Sequence, residues 1–166
     1  DVCSSDLDGS NSITVPDAAG QNFPTISRTD TGQGVLDPRM NSFSFEVFCY
    51  PSSGSNDNQV ILQKRNNETT AITLALSSST ADDCKVLFMV SCNGLYATAS
   101  AQIIKDQFNH LYFEYDAQAL TSSLKIYKDL EIASSENDLI VFDDLNFNAA
   151  SITVGSGSSH TLGSYI

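Results

Sequence analysis

Glu114 and Asp116 stand two residues apart in the stretch Phe108-Asn-His-Leu-Tyr-Phe-Glu-Tyr-Asp116. On a strand that spacing sends both carboxylates to one face, at the ~5 Å separation a retaining glycoside hydrolysis needs. The plainer reading is solvated charge flanking a core strand. Asp57 and Asn58, preceded by Asn56, are the candidate metal ligands, because calcium takes hard oxygen donors; the competing reading is an ordinary Asx-rich turn. The sequence contains no G-x-S-x-G, no H-E-x-x-H and no phosphate-cradling glycine loop. Its two histidines, His110 and His160, lie in unrelated contexts without a neighbouring nucleophile. No catalytic residue is assigned, and no turnover of a polysaccharide is expected.

Cys49, Cys84 and Cys92 are the cysteines that bear on the fold. Cys84 and Cys92 are eight positions apart on one expected strand, roughly 26 Å, whereas a disulfide needs Cα atoms within ~7 Å. They cannot pair with each other. Free buried thiols, or one bridge from Cys49 to either neighbour, remain the alternatives. With no C-x-x-C and no Cys/His cluster, zinc and redox sites have no support.

The chain of 166 residues carries 8 basic and 20 acidic side chains, a net charge of −12. That excludes nucleic-acid binding as a main role, since such proteins neutralise phosphates with basic patches. The apolar content of 41% suits one folded domain with one sizeable core. The longest apolar runs, Val86 to Val90 and Leu139 to Phe142, fall far short of the ~20 residues a membrane helix needs, so membrane insertion is not expected. Acid pairs at Asp82-Asp83, Glu136 with Asp138, and Asp143-Asp144 are assigned to loops as solubilising charge. The Asn67-Glu68-Thr69 triplet fits a glycosylation sequon, a pattern common by chance.

The hydrophobic period is two almost throughout, with Ser, Asn, Asp and Gly clusters between segments. It predicts strands at Ser12 to Val15, Ser42 to Tyr50, Gln59 to Arg65, Ala71 to Ser77, Lys85 to Cys92, Leu95 to Ala99, His110 to Asp116, Ser123 to Ala133 and Ser151 to Val154. Tyr165-Ile166 would open a tenth. Ser42 to Tyr50 is apolar on both faces, as in a strand lying between layers, and the nearly continuous apolar run to Cys92 indicates a central strand. Asn93-Gly94 supplies the positive φ angles of a two-residue hairpin. The fold class is therefore all-β, a two-sheet antiparallel sandwich of the jelly-roll kind. Its core is expected to hold Phe43, Phe45, Val47, Val60, Leu62, Ile72, Leu74, Val86, Phe88, Val90, Leu111, Phe113, Leu124, Ile126, Ile152 and Val154.

The order of segments resembles the laminin-G-like, concanavalin-A-like jelly-roll domains. Leu7-Asp-Gly-Ser-Asn-Ser-Ile-Thr-Val-Pro-Asp17 is similar to their opening F-D-G-x-x-D-Y-I-x-I-P-D, and Ser42-Phe-Ser-Phe-Glu-Val-Phe-Cys-Tyr-Pro51 to S-F-T-I-E-A-W-V-Y-P. Phe108 to Asp116 is similar to W-x-H-V-A-V-T-Y-D, and Leu124-Lys-Ile-Tyr-Lys-Asp-Leu-Glu-Ile-Ala133 to L-x-L-Y-V-D-G-x-L-V-A. Ser151-Ile-Thr-Val-Gly155 and Leu162-Gly-Ser-Tyr-Ile166 resemble L-x-I-G and the start of F-x-G-x-I-D-E-V-R-I. Phe48 and Phe108 take the family's two tryptophan positions and are expected to fill the core. Asp129-Leu130 takes the place of its Asp-Gly turn, which is expected to be wider or bulged. The resemblance makes His110 a hydrogen-bonded packing residue.

What the resemblance implies about function is less specific than what it implies about fold. Glycoside hydrolases of the same superfold carry E-x-D-x-x-E, and Ala119 stands where the third acid belongs. Asp57-Asn58-Gln-Val-Ile-Leu62 is similar to the calcium-binding D-N-E-I-L-I of the pentraxin branch, yet the opposing acids are missing at Ser156-Gly-Ser-Ser159. The expected function is a non-catalytic module binding a glycan or a cell-surface protein, extracellular or on a virion surface, within a larger multidomain or oligomeric assembly. The alternative is a structural or decoration domain of a phage virion without a small ligand, and a glycoside hydrolase comes third. A sugar site requires exposed aromatic rings among polar groups, for which Tyr50, Tyr96 and Tyr112 are the candidates. Residues 1–7 resemble translated adapter sequence at the end of a metagenomic gene fragment. Residues 8–166 are expected to form one laminin-G-like domain whose last strand is cut short, leaving Ser12 to Val15 without a neighbour.

Overall fold

The computed structural model describes residues 13–15, 37–52, 58–67, 69–78, 84–117, 122–139, 142, 144–147, 150–155 and 157. The expected strand at Tyr165-Ile166, His160 and the Asp82-Asp83 pair lie outside them. The described residues form strands and no helix. In chain order these are β1 (Ile13–Val15), β2 (Phe43–Cys49), β3 (Gln59–Arg65), β4 (Ala71–Ser78), β5 (Cys84–Cys92), β6 (Leu95–Ile103), β7 (Asn109–Ala117), β8 (Ser122–Lys128), β9 (Glu131–Leu139) and β10 (Ile152–Val154). They make two antiparallel sheets, one ordered β1-β10-β3-β4-β5-β6 and the other β2-β7-β8-β9. The expected all-β sandwich is the fold observed.

Alternation explains the layers. In β7 the odd residues Leu111, Phe113 and Tyr115 are buried while Tyr112, Glu114 and Asp116 are not, so period-two side chains separate core from surface. Leu74, Val86, Phe88 and Val90 of the larger sheet close on Leu111, Phe113, Leu124 and Ile126 of the smaller one. Phe43, Phe45 and Val47 are partly buried against that cluster. Phe88 meets Phe113 and Phe43 edge-on, with ring centroids 5.6 and 6.4 Å apart.

Four expectations are corrected. The segment Ser123 to Ala133 is not one strand: Asp129 and Leu130 adopt φ of 51° and 71° and turn β8 back into β9. The turn expected at Asp129-Leu130 is present, but it is a tight two-residue one with Lys128 opposite Glu131, the irregularity falling further back between Ile126 and Tyr127; with no glycine there, the pairing of the two strands holds a leucine in the left-handed region. β9 consequently contains Glu136, which was assigned to a loop. Val60 lies on the outer face with Ala75 and Leu87, away from the inter-sheet core. A bulge between Val60 and Leu62 adds a residue, so two positions that should share a face point oppositely. Finally, β1 pairs with β10, Ile13 opposite Val154, and so has a neighbour within the chain.

Asn93-Gly94 behaves as expected, with φ of 51° and 84°, and joins β5 to β6 in the register Cys92 opposite Leu95. β5 is indeed internal, between β4 and β6. The three cysteines Cys49, Cys84 and Cys92 are free and buried. Burial, reinforced by the nearby Cys84, pushes the Cys49 thiol up from 9.0 to about 11. Burial also raises Cys84, against the opposing pull of Lys105. Between those two values the unfolded chain has released the Cys49 proton and the folded one still holds it. Stability present below pH 9.0 should therefore fall as the pH climbs toward about 11. Urea midpoints measured across this range should drop in the wild type and drop less in Cys49→Val.

Candidate functional site

The two outer faces of the sandwich differ. On the larger sheet the outward positions Gln63, Thr73, Ala75, Leu87 and Met89 of β3, β4 and β5 are buried, while Lys85, Tyr96, Ser100 and Gln102 toward the β6 edge are exposed. On the smaller sheet the outward positions stay open to solvent or half-buried. β2 presents Ser44, Glu46 and Phe48, which pair in register with Glu114, Tyr112 and His110 of β7. β8 follows with Lys125 opposite Glu114 and Tyr127 opposite Tyr112, and β9 adds Ile132 opposite Tyr127.

Aromatic rings run across this open face. Phe48 is 66% exposed and lies flat on the His110 imidazole, centroids 4.5 Å apart at 9°. Phe108 is 72% exposed and meets the edge of Tyr50 at 5.2 Å. Tyr112 and Tyr127 form an edge-on pair at 5.5 Å. Phe48 and Phe108 thus do not fill the core as expected. Phe48 falls at an even position of β2, whose odd positions face inward, and Phe108 stands in the loop just before β7; β2 is an edge strand rather than one between layers. Its second apolar face remains unburied.

The rings are held by polar groups beneath and beside them. Asn109 is fully buried and donates through Nδ2 to the carbonyls of Ile104 and Gln107, while its Oδ1 accepts from the Ile104 N–H. The loop carrying Phe108 is thereby fixed, and Asp106 N–H donates to the Pro51 carbonyl beside Tyr50. His110 Nε2 lies 2.7 Å from Glu46 Oε1, which makes it the hydrogen-bonded packing residue expected. The β8–β9 turn is anchored by Asp129 N–H donating to the His110 carbonyl at 3.0 Å.

At the other end of the same face lies an open depression of about 380 Å³, lined by Ser42, Ser44, Tyr112, Glu114 and Asp116 among others. Here the E-x-D pair sits on one face, as its spacing requires. Glu114 Oε1 accepts from Lys125 Nζ at 2.7 Å, and that hydrogen bond raises the Lys125 pKa. Asp116 Oδ1 accepts from Ser42 Oγ at 3.0 Å. These contacts are cross-strand ties of the kind that flank a core strand.

Of the three tyrosines singled out for a sugar site, Tyr50 and Tyr112 share this face. Tyr96 pairs with the outward Ser91 of β5 and lies on the opposite sheet. Phe48, Phe108 and Tyr127 are surface rings absent from the sequence-based candidates; strand parity is the signal for Phe48 and Tyr127, even numbers facing outward along β2 and odd numbers along β8, whereas Phe108 precedes β7 and carries no such signal. Asp57 lies outside the described residues, and Asn58 is an exposed residue preceding β3 of the other sheet. Among the described residues no three His, Cys, Asp or Glu side chains come together as a metal site.

No protein-family model and no curated protein matches this sequence. Among solved structures, a candidate carbohydrate-binding protein from Bacteroides ovatus matches at 14% identity with a TM-score of 0.47. The match covers 85% of this chain and 36% of that one, so the chain spans little more than a third of that protein's length.

Proposed function

We propose that this chain is a non-catalytic glycan-binding module whose platform is the open face of β2, β7, β8 and β9. The supporting observation is the set of rings at Phe48, Tyr50 and Phe108, which are exposed, with the half-buried Tyr112 and Tyr127, set beside hydrogen-bonded acids and hydroxyls on one sheet face. A sugar ring offers C–H groups on one face and hydroxyls at its rim. Rings with amphipathic edges and nearby carboxylates match that division. Exposed apolar groups gathered on one face also mark an interaction surface rather than ordinary solvated strand. Display outside a cell or on a virion fibre is part of the same proposal.

A glycan array probed with and without a calcium chelator tests it. The wild type is expected to bind at least one glycan class. Alanine at both Phe48 and Tyr127 should weaken that binding by at least about tenfold, the effect of losing central aromatic anchors, while Tyr96→Ala on the opposite sheet leaves it unchanged. Binding lost with chelator but kept in the double variant would move the site to the loop of Asp57 and Asn58. Absence of binding to every glycan would favour a purely structural domain.

A further inference from the structure

We infer that the ligand of this face is an uncharged, hydroxyl-rich glycan, and that sulfated or carboxylated polymers are rejected; this rests on the glycan reading above and names its substrate class. Three carboxylates stand on the platform, Glu46, Glu114 and Asp116. Each has a donor from the sheet itself: His110 for Glu46, Lys125 for Glu114 and Ser42 for Asp116. These contacts fix the carboxylates in direction, and an ionised carboxylate only accepts. Glu46 and Glu114 each engage one oxygen in this way, so their remaining lone pairs are aimed, and the groups that suit them are ligand hydroxyls.

The cations of the face do not offset the acids. Lys125 is committed to Glu114 at 2.7 Å, and Asp129 and Glu131 add exposed acid beside the β8–β9 turn. Recognition of sulfate or carboxylate calls for a guanidinium fork. Among the described residues the arginines lie elsewhere: Arg39 is paired with Asp144, and Arg65 ends β3 in the other sheet. A whole-chain charge of −12 adds repulsion at a distance. An amino-sugar polymer would be drawn to the same acids by charge, so its binding should be lost at high ionic strength, unlike that of a neutral glycan.

The test is binding of the intact chain to neutral polymers, laminarin and agarose, beside charged ones, carrageenan, alginate and chitosan, each at low and high ionic strength. The expected result is binding to a neutral polymer that does not change with salt and is at least about tenfold tighter than to carrageenan or alginate at either salt, and than to chitosan at high salt. Glu114→Gln, which leaves Lys125 without its counter-ion, should gain affinity for carrageenan at low salt. Equal or tighter binding of carrageenan or alginate by the wild type, or binding of chitosan that survives high salt, would overturn the inference and leave the platform reading standing. An unchanged carrageenan affinity in Glu114→Gln would also overturn it, because charge would then not set the selectivity. Failure of all five polymers would remove both the inference and the reading on which it rests.

Discussion

Phe88→Ala is expected to destabilise the fold by about 3 to 5 kcal/mol. The phenylalanine is fully buried at the middle of β5 and is the ring through which the two sheets interlock. Its edge contacts with Phe113 at 5.6 Å and Phe43 at 6.4 Å reach both β7 and β2, and aromatic pairs of this geometry add about 0.5 to 1.5 kcal/mol each beyond their burial. The surrounding Leu74, Val86 and Val90 belong to paired strands and cannot collapse into the space, so a cavity remains. Urea denaturation should show the loss as a lowered midpoint with an unchanged slope. Phe48→Ala, a change of the same chemistry at a residue 66% exposed, should lower the stability by no more than about 0.5 kcal/mol.

Lys64→Ala should be comparably severe, costing about 3 to 5 kcal/mol by the same measurement. Lys64 is 1% exposed, and its register opposite Ile72 and Ile152 places it on the core side of β3. Its Nζ donates to the Ala150 carbonyl and sits 5.5 Å above the Phe147 ring. Phe147 N–H in turn donates to both carboxylate oxygens of the buried Asp37, at 3.0 and 3.1 Å. One lysine therefore links β3 to the segment leading into β10, beside a carboxylate that ties that segment to the start of β2. Removing it truncates a long packed stem and leaves a buried carbonyl without its donor, two losses that add. Lys64→Met keeps most of the stem and should recover about half of the deficit, which separates packing from charge.

The sequence made the fold legible wherever local chemistry and burial agreed. Asn93-Gly94 announced its hairpin because only such residues adopt two positive φ angles cheaply, and β3 spans the residues that alternation assigned to it. Reading failed where tertiary pairing overrode the local signal. Leu130 is a poor turn residue, held at φ 71° by β8 and β9, and nothing in the sequence marks the bulge that turns Val60 outward. Lys64 illustrates the same limit: a lysine in a strand reads as surface until its cross-strand neighbours are known.

The site was legible in part. The spacing of Glu114 and Asp116 placed both on one face, and Tyr50 and Tyr112 were correctly suspected as surface rings. The resemblance to core tryptophans points Phe48 and Phe108 inward, although parity along β2 sends Phe48 out and Phe108 stands in the loop before β7. A phenylalanine on an open sheet face cannot be told from a core one by composition. Its meaning comes from what stands beside it, here His110, Tyr50, Tyr112 and Tyr127, residues brought together from three separate segments.

The central claim is that the open face of the smaller sheet carries the binding site, and chemical-shift mapping of the aromatic and backbone resonances during titration with laminarin or agarose tests it most directly. The account predicts shifts concentrated at Phe48, Phe108, His110, Tyr112 and Tyr127, with Tyr96 and the core rings of Phe88 and Phe113 silent. Shifts centred on Tyr96 and the larger sheet, or no shift on the smaller sheet while the polymer is bound, would contradict it.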